Sequence, residues 1–153
     1  MSSELLPVSY EAAVKAFHVK YGHLISDKPT SNIPDEVKIL RRKLILEEVE
    51  ETLSAMGFTE SGDWSGFENI IEIADGIADT IYVLIGTAIS YGIPIDRVFR
   101  EVHASNMTKT PVKAEPGKKY GTKTPKGPDY KPPQIDRILF DPDTRTDLEA
   151  RST

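Results

Sequence analysis

Between Leu44 and Asp96 the chain carries eleven acidic residues and no lysine or arginine. That run limits what the chain can fold into more than any other feature. Carboxylates concentrated in this way cannot neutralise one another, so packing that draws them together needs solvent between them or cations from outside. The bias extends further: residues 1–106 hold 9 Lys and Arg against 17 Asp and Glu, a net −8, whereas residues 107–153 hold 10 against 7, a net +3. A body this acidic does not hold a nucleic-acid duplex by counterion release. It can hold cations and, through them, a polyphosphate.

The rest of the composition is that of a folded protein. With 153 residues, 39% apolar and 28% charged, the chain is expected to form one domain, or one domain with a tail. The lack of cysteine removes disulfides, thiolate zinc sites, iron-sulfur clusters and cysteine nucleophiles. The N-terminal stretch MSSELLPVSYEAAV has neither the basic region nor the apolar run of a signal peptide, and no stretch reaches about 18 uncharged apolar residues. A soluble, cytoplasmic protein without membrane partners is expected.

Helical signals dominate. Ser9 reads as the N-cap of a first helix reaching His23, with Val14, Phe17 and Tyr21 at helical spacing. Pro34, Asp35 and Glu36 read as the first turn of a second helix, which carries Val37, Leu40, Leu44 and Ile45 and ends near Met56 and Gly57. After a polar loop, the segment from about Phe67 predicts a long third helix ended by Gly92. Pro94 opens a fourth, in which Val98, Phe99 and Val102 face inward. With no period-2 strand, the expected fold is all-α: a bundle of about four main helices, residues 1–108. Residues 109–153 form a separate basic, proline-rich extension, with seven lysines between positions 109 and 131. Tyr120, Tyr130, Ile135, Ile138, Leu139 and Phe140 argue that this extension is an ordered flap packing on the bundle.

At 100° per residue, Glu68, Glu72, Asp75 and Asp79 of the third helix fall within an arc of roughly 60°. Isoleucines surround that stripe on almost every side, which predicts a buried helix with partly buried acids. Glu47, Glu48 and Glu51 of the second helix share an arc of about 100°. If the two stripes meet, each carboxylate pair about 5 Å apart repels by roughly 3 kcal/mol at an effective dielectric near 20. Hard divalent cations with oxygen ligands are the natural remedy. A ferritin-like diiron site needs Glu-x-x-His pairs, and none of His18, His23 and His103 stands three residues after a glutamate. All-carboxylate ligation suits Mg²⁺, or Mn²⁺ in its place, sharing ligands with substrate phosphates.

These residues also carry a resemblance. Glu47, Glu48 and Glu51 in LILEEVEETLSA form an EExxE motif, and EIADGIADTIYVLIGTAISYGI supplies a following acidic helix of ExxD type. Together they resemble the all-α NTP pyrophosphohydrolase superfamily, which includes MazG, the dimeric dUTPases and phosphoribosyl-ATP pyrophosphohydrolase. VFREVHASNMTK and the KGPDYKPPQI tail are most similar to the MazG-like branch of bacteria and phages, and the similarity covers about residues 10 to 135. It implies that Glu47, Glu48, Glu51 and Asp79 coordinate Mg²⁺ and that one glutamate, Glu48 or Glu47, orients or deprotonates the attacking water. Aligned on Asp79 and Tyr82, however, the chain has Gly76 where the family carries the ExxD glutamate. Either Glu72 and Asp75 form the motif one turn earlier, or Asp75 substitutes beside Asp79.

By the same resemblance Asn106 and Lys109 contact the nucleotide and its phosphates. Lys113, Arg42 and Lys43 are lesser candidates for phosphate contact, and His18 and Phe17 are candidates for the base, the alternative for His18 being a structural role in its helix. The implied activity is Mg²⁺-dependent hydrolysis of a (d)NTP, dUTP among the possibilities, to a nucleoside monophosphate and pyrophosphate, which would clear unwanted nucleotides from the pool. Because one acidic helix pair is a thin core, a homodimer or higher assembly is expected to complete the bundle, inside a bacterial or phage-infected cell. The rivals are a non-catalytic acidic module that binds a partner protein, and hydrolysis of phosphoribosyl-ATP, whose family has a shorter domain without this tail.

Overall fold

Polar side chains, more than apolar ones, decide where the helices begin. The computed structural model describes residues 9–112, 116–117, 120 and 123–140, and over these the chain is all-α. Helices α1 (Tyr10–Tyr21), α2 (Asp35–Ala55), α3 (Ile70–Ser90) and α4 (Ile95–Asn106) are the four main ones, followed by a short α5 (Ile135–Phe140). Among the described residues there is no strand, only a single bridge between Phe58 and Trp64, and no helix is long and apolar enough to cross a membrane. The Ser9 hydroxyl accepts from the Ala12 amide at 3.4 Å, so Ser9 caps α1 as expected. Pro34 stands one position earlier than a first-turn proline and makes no side-chain cap.

The start of α3 differs from the expected Phe67. The Asn69 side chain accepts from the amides of Ile71 and Glu72 at 3.1 and 3.4 Å, which fixes the helix start at Ile70. Glu68 therefore lies before the cap, outside the acidic stripe of the helix. At the other end Gly92 adopts φ +66°, the left-handed conformation that ends a helix at little cost for glycine.

The chain divides into two compact units, Met1–Ile95 and Asp96–Thr153. In the first, α3 is the central element. Its C-terminal half packs on α1, where Val14, Ile85 and Ile89 are buried and Ile25 and Ile95 pack against them. The loop after α1 is tied down by two hydroxyls: Ser26 donates to the Ser90 carbonyl at 2.7 Å, and Ser90 donates to the Leu24 carbonyl at 3.2 Å. α3 packs on α1 and α2, and at its N-terminal end Ile70 and Ile71 remain 76% and 77% exposed. The expectation of a helix buried all round thus fails for the single chain, because two neighbouring helices cannot cover every side of a third.

In the second unit, hydroxyls anchor the described part of the extension to the end of α4. The buried Ser105 donates to the Lys131 carbonyl at 2.7 Å. Thr108 donates to the Ser105 carbonyl at 2.7 Å and accepts from the Lys131 amide at 2.8 Å, while the Gln134 amide donates to the Glu101 carboxylate at 2.8 Å. Phe99, expected to face inward, is 69% exposed. It sits about 100° round the helix from the face that Val98, Val102 and Ser105 share.

Candidate functional site

Where α2 lies along α3, polar side chains enter the seam between them. Arg41, Glu48, Thr52 and Ala55 recur on one face of α2, and polar and apolar residues are otherwise spread almost evenly round that helix. The helices come closest at Thr52. Its hydroxyl donates to the Glu48 carbonyl at 2.7 Å and lies 3.1 Å from the Thr80 hydroxyl, which therefore donates to it. A Cβ on Gly76 would stand 2.6 Å from the Thr52 hydroxyl oxygen and 3.1 Å from its Cα. Position 76 is thus where the two backbones meet, and a glutamate side chain has no room there.

One turn from this crossing the carboxylates gather. Glu48 is half-buried at the seam, and Glu47, Glu51, Glu72, Asp75 and Asp79 are exposed around it. Partial burial, and then the charges of Asp79, Glu51, Glu47 and Asp75, push the Glu48 carboxyl above its ordinary value. Both helices therefore deliver negative charge to one place, with Glu48 at its centre. Glu72 does not contribute to that field. Among the described residues no three acidic or histidine side chains close tightly enough to enclose a cation by themselves. The chemistry of the set nevertheless fits a hard divalent ion: it is all oxygen, its charges repel, and from Leu44 to Asp96 no lysine or arginine interrupts it.

The other anticipated residues are dispersed. Arg42 and Lys43 line an open depression of about 380 Å³ on α2, together with Glu47, Glu50 and Glu51. His18 is 2% exposed, and its Nδ1 donates to the Leu24 carbonyl at 3.0 Å. Burial lowers the pKa of this imidazole, so it is held neutral in the core. Phe17 stacks near His23, with ring centroids 5.6 Å apart, and meets Tyr82 edge-on at 5.5 Å. Asn106 ends α4 and Lys109 follows it, both in the second unit. There Lys126 lies 4.9 Å over the Tyr130 ring, and a hydrogen bond from Ser105 lowers the Tyr130 pKa, with Lys126 and Lys109 nearby. Lys113 lies outside the described residues.

Sequence reasoning missed Arg41 and Thr52. Arg41 is 5% exposed, whereas its neighbour Arg42 is exposed. The seven-residue interval from Arg41 to Glu48 to Ala55, which keeps all three on one helix face, was the available signal.

The family model described as phosphoribosyl-ATP pyrophosphohydrolase matches residues 14–106. The matched segment runs from α1 to the end of α4 and includes every acidic residue of the seam, while the extension lies outside it. No curated protein matches the chain.

Proposed function

Because this chain belongs to the phosphoribosyl-ATP pyrophosphohydrolase family, a branch of the all-α MazG-like NTP pyrophosphohydrolases, we propose that it hydrolyses a (d)NTP between the α and β phosphates. The products are a nucleoside monophosphate and pyrophosphate, and the role is the clearing of unwanted nucleotides, dUTP among the possible ones, from the cytoplasm. The observation that carries this reading is the convergence of α2 and α3 carboxylates on the half-buried Glu48.

Mg²⁺, or Mn²⁺ in its place, supplies the charge neutralisation and Lewis acidity that a polyphosphate needs. Its holders are Glu47, Glu48, Glu51, Asp75 and Asp79, with Glu72 at the margin. Glu48 is placed for a general base, half-buried where the acids of both helices converge. It orients the attacking water and takes its proton, with Glu47 as the second candidate for that role. Asn106 and Lys109 are assigned to the substrate by resemblance, an amide for orientation and fixed positive charge for the phosphates, and Lys113, Arg42 and His18 are further candidates for substrate contact.

A second copy of the chain is proposed to cover α3. Ile70, Ile71, Ile77, Ile81 and Leu84 are 42–77% exposed, and a groove of about 320 Å³ lined by Tyr10, Val14, Ala78 and Ile81 runs along the same helix. Covering such side chains contributes up to about 2 kcal/mol each, which supports a homodimer or higher assembly over a monomer.

The family match favours one further reading, hydrolysis of phosphoribosyl-ATP itself. Incubating the protein and Mg²⁺ with the common ribo- and deoxyribonucleoside triphosphates, dUTP and phosphoribosyl-ATP, with pyrophosphate as the readout, separates the two. The (d)NTP proposal expects turnover of at least one simple triphosphate; release from phosphoribosyl-ATP alone would replace it.

A further inference from the structure

Arg41 is a cation without an anion. Its guanidinium is 5% exposed, its Nε has no hydrogen-bond partner, and its closest polar contact is a long one, Nη2 to His23 Nδ1 at 3.5 Å. Burial lowers its pKa, and among the described residues no salt bridge to it is formed. Burying a guanidinium in this way is unfavourable unless something compensates it. The surroundings are built round the group. A Cβ on Gly86 would stand 2.7 Å from Arg41 Nη1 and 2.9 Å from His18 Nε2, so glycine there leaves space for both. The His18 and His23 rings lie 5.2 Å apart, and His18 Nδ1 is occupied by the Leu24 carbonyl, which leaves Nε2 directed to the Arg41 side. His23 is half-buried beside them.

The position along the seam indicates what fits. Arg41 and Glu48 are seven residues apart on one face of α2, and Asp79 and Gly86 are seven apart on α3, so each pair is separated by about 10 Å along its helix. The seam therefore has an acidic station and a cationic one. We propose that Arg41, flanked by His18 and His23 against Gly86, binds the terminal phosphate of the substrate's polyphosphate, distal to the anhydride that is cleaved. This assignment rests on the pyrophosphohydrolase reading. A planar guanidinium suits a phosphate through paired N–H donors. Arg41 then sets the preference for a polyphosphate over a monophosphate.

The test uses the full chain and needs no turnover. Inorganic pyrophosphate is titrated into metal-free protein, where the carboxylates repel it, while the imidazole signals of His18, His23 and His103 are followed by NMR. The proposal expects saturable shifts of His18 and His23 with His103 unmoved, binding about tenfold weaker in Arg41→Lys, and no such shifts in Arg41→Met. Unmoved His18 and His23, or equal shifts in Arg41→Met, would overturn it; so would shifts with orthophosphate alone, which assign the pocket to a free small anion. Should Arg41→Met fail to fold, the wild-type and Arg41→Lys titrations decide. In the kinetic arm Arg41→Met raises KM for a triphosphate at least tenfold with kcat changed less than threefold, and an unchanged KM counts against the assignment. If no triphosphate is hydrolysed, the NMR titration still reads the anion pocket, so the two proposals fail separately.

Discussion

Gly76 faces Thr52 across the α2–α3 seam so closely that a Cβ at 76 would lie 2.6 Å from the threonine hydroxyl oxygen. This contact leaves no room for a glutamate at that point of the helix, whose nearest acids are Asp75 and Asp79. Gly76→Ala tests it. In an open helix the change would stabilise by about 1 kcal/mol, whereas overpacking at a tight crossing costs about 1–3 kcal/mol. Thermal unfolding of the variant is expected at a lower temperature than wild type; a rise would show that the seam opens freely.

Glu48→Gln is expected to abolish turnover and, without metal, to raise the melting temperature at pH 7. The sign follows from the raised carboxyl. At neutral pH the folded state holds a charge that burial, Asp79, Glu51, Glu47 and Asp75 disfavour relative to the unfolded chain. That penalty disappears as pH falls through the raised folded value and is gone below the ordinary 4.5. The gain from Glu48→Gln should therefore shrink with falling pH and vanish below about 4.5. Each kcal/mol relieved appears as about 2–4 °C in a chain of this size. A lower melting temperature at pH 7 would give Glu48 a structural role.

Alanine variants of the third-helix acids decide which register works. The charges of Asp79 and Asp75 are among those that raise the Glu48 carboxyl. Asp75→Ala and Asp79→Ala should each reduce kcat/KM about a hundredfold, since small misplacements at a reacting centre have effects of that order, while Glu72→Ala remains within a few-fold of wild type. Severe loss from Glu72→Ala would move the motif one turn earlier.

The exposed isoleucines of α3 predict assembly. Sedimentation of wild type at micromolar concentration should give the mass of a dimer or larger species, and Ile71→Glu should reduce it. A wild-type monomer at these concentrations would contradict the proposed cover of α3.

Helix number and most helix ends were legible because they depend on local chemistry: the Ser9 cap, the Gly92 left-handed stop and the turn before Ile95 are read within a few residues. The start of α3 was placed three residues early because apolar periodicity runs on through Phe67, whereas the Asn69 side chain decides the cap. The acidic stripes were legible as periodicity, and their meeting at Glu48 agrees with that spacing. What one strand of sequence could not show was which face of α2 meets α3. Leu40 and Leu44 pointed to an apolar stripe, yet Leu40 is 38% exposed and the next residue, Arg41, is buried. A shift of one residue is about 100° on a helix, so the choice between Arg41 and Arg42 depends on the partner helix. For the same reason the close approach at Gly76 has no local signature.

The product pair formed from a nucleoside triphosphate, with and without EDTA, distinguishes pyrophosphohydrolysis from other phosphate chemistry. In excess Mg²⁺ the account predicts equal amounts of nucleoside monophosphate and pyrophosphate, falling to background on chelation and in Glu48→Gln, and returning with Mg²⁺ or Mn²⁺. Nucleoside diphosphate and orthophosphate as products, or undiminished turnover in EDTA, would contradict it.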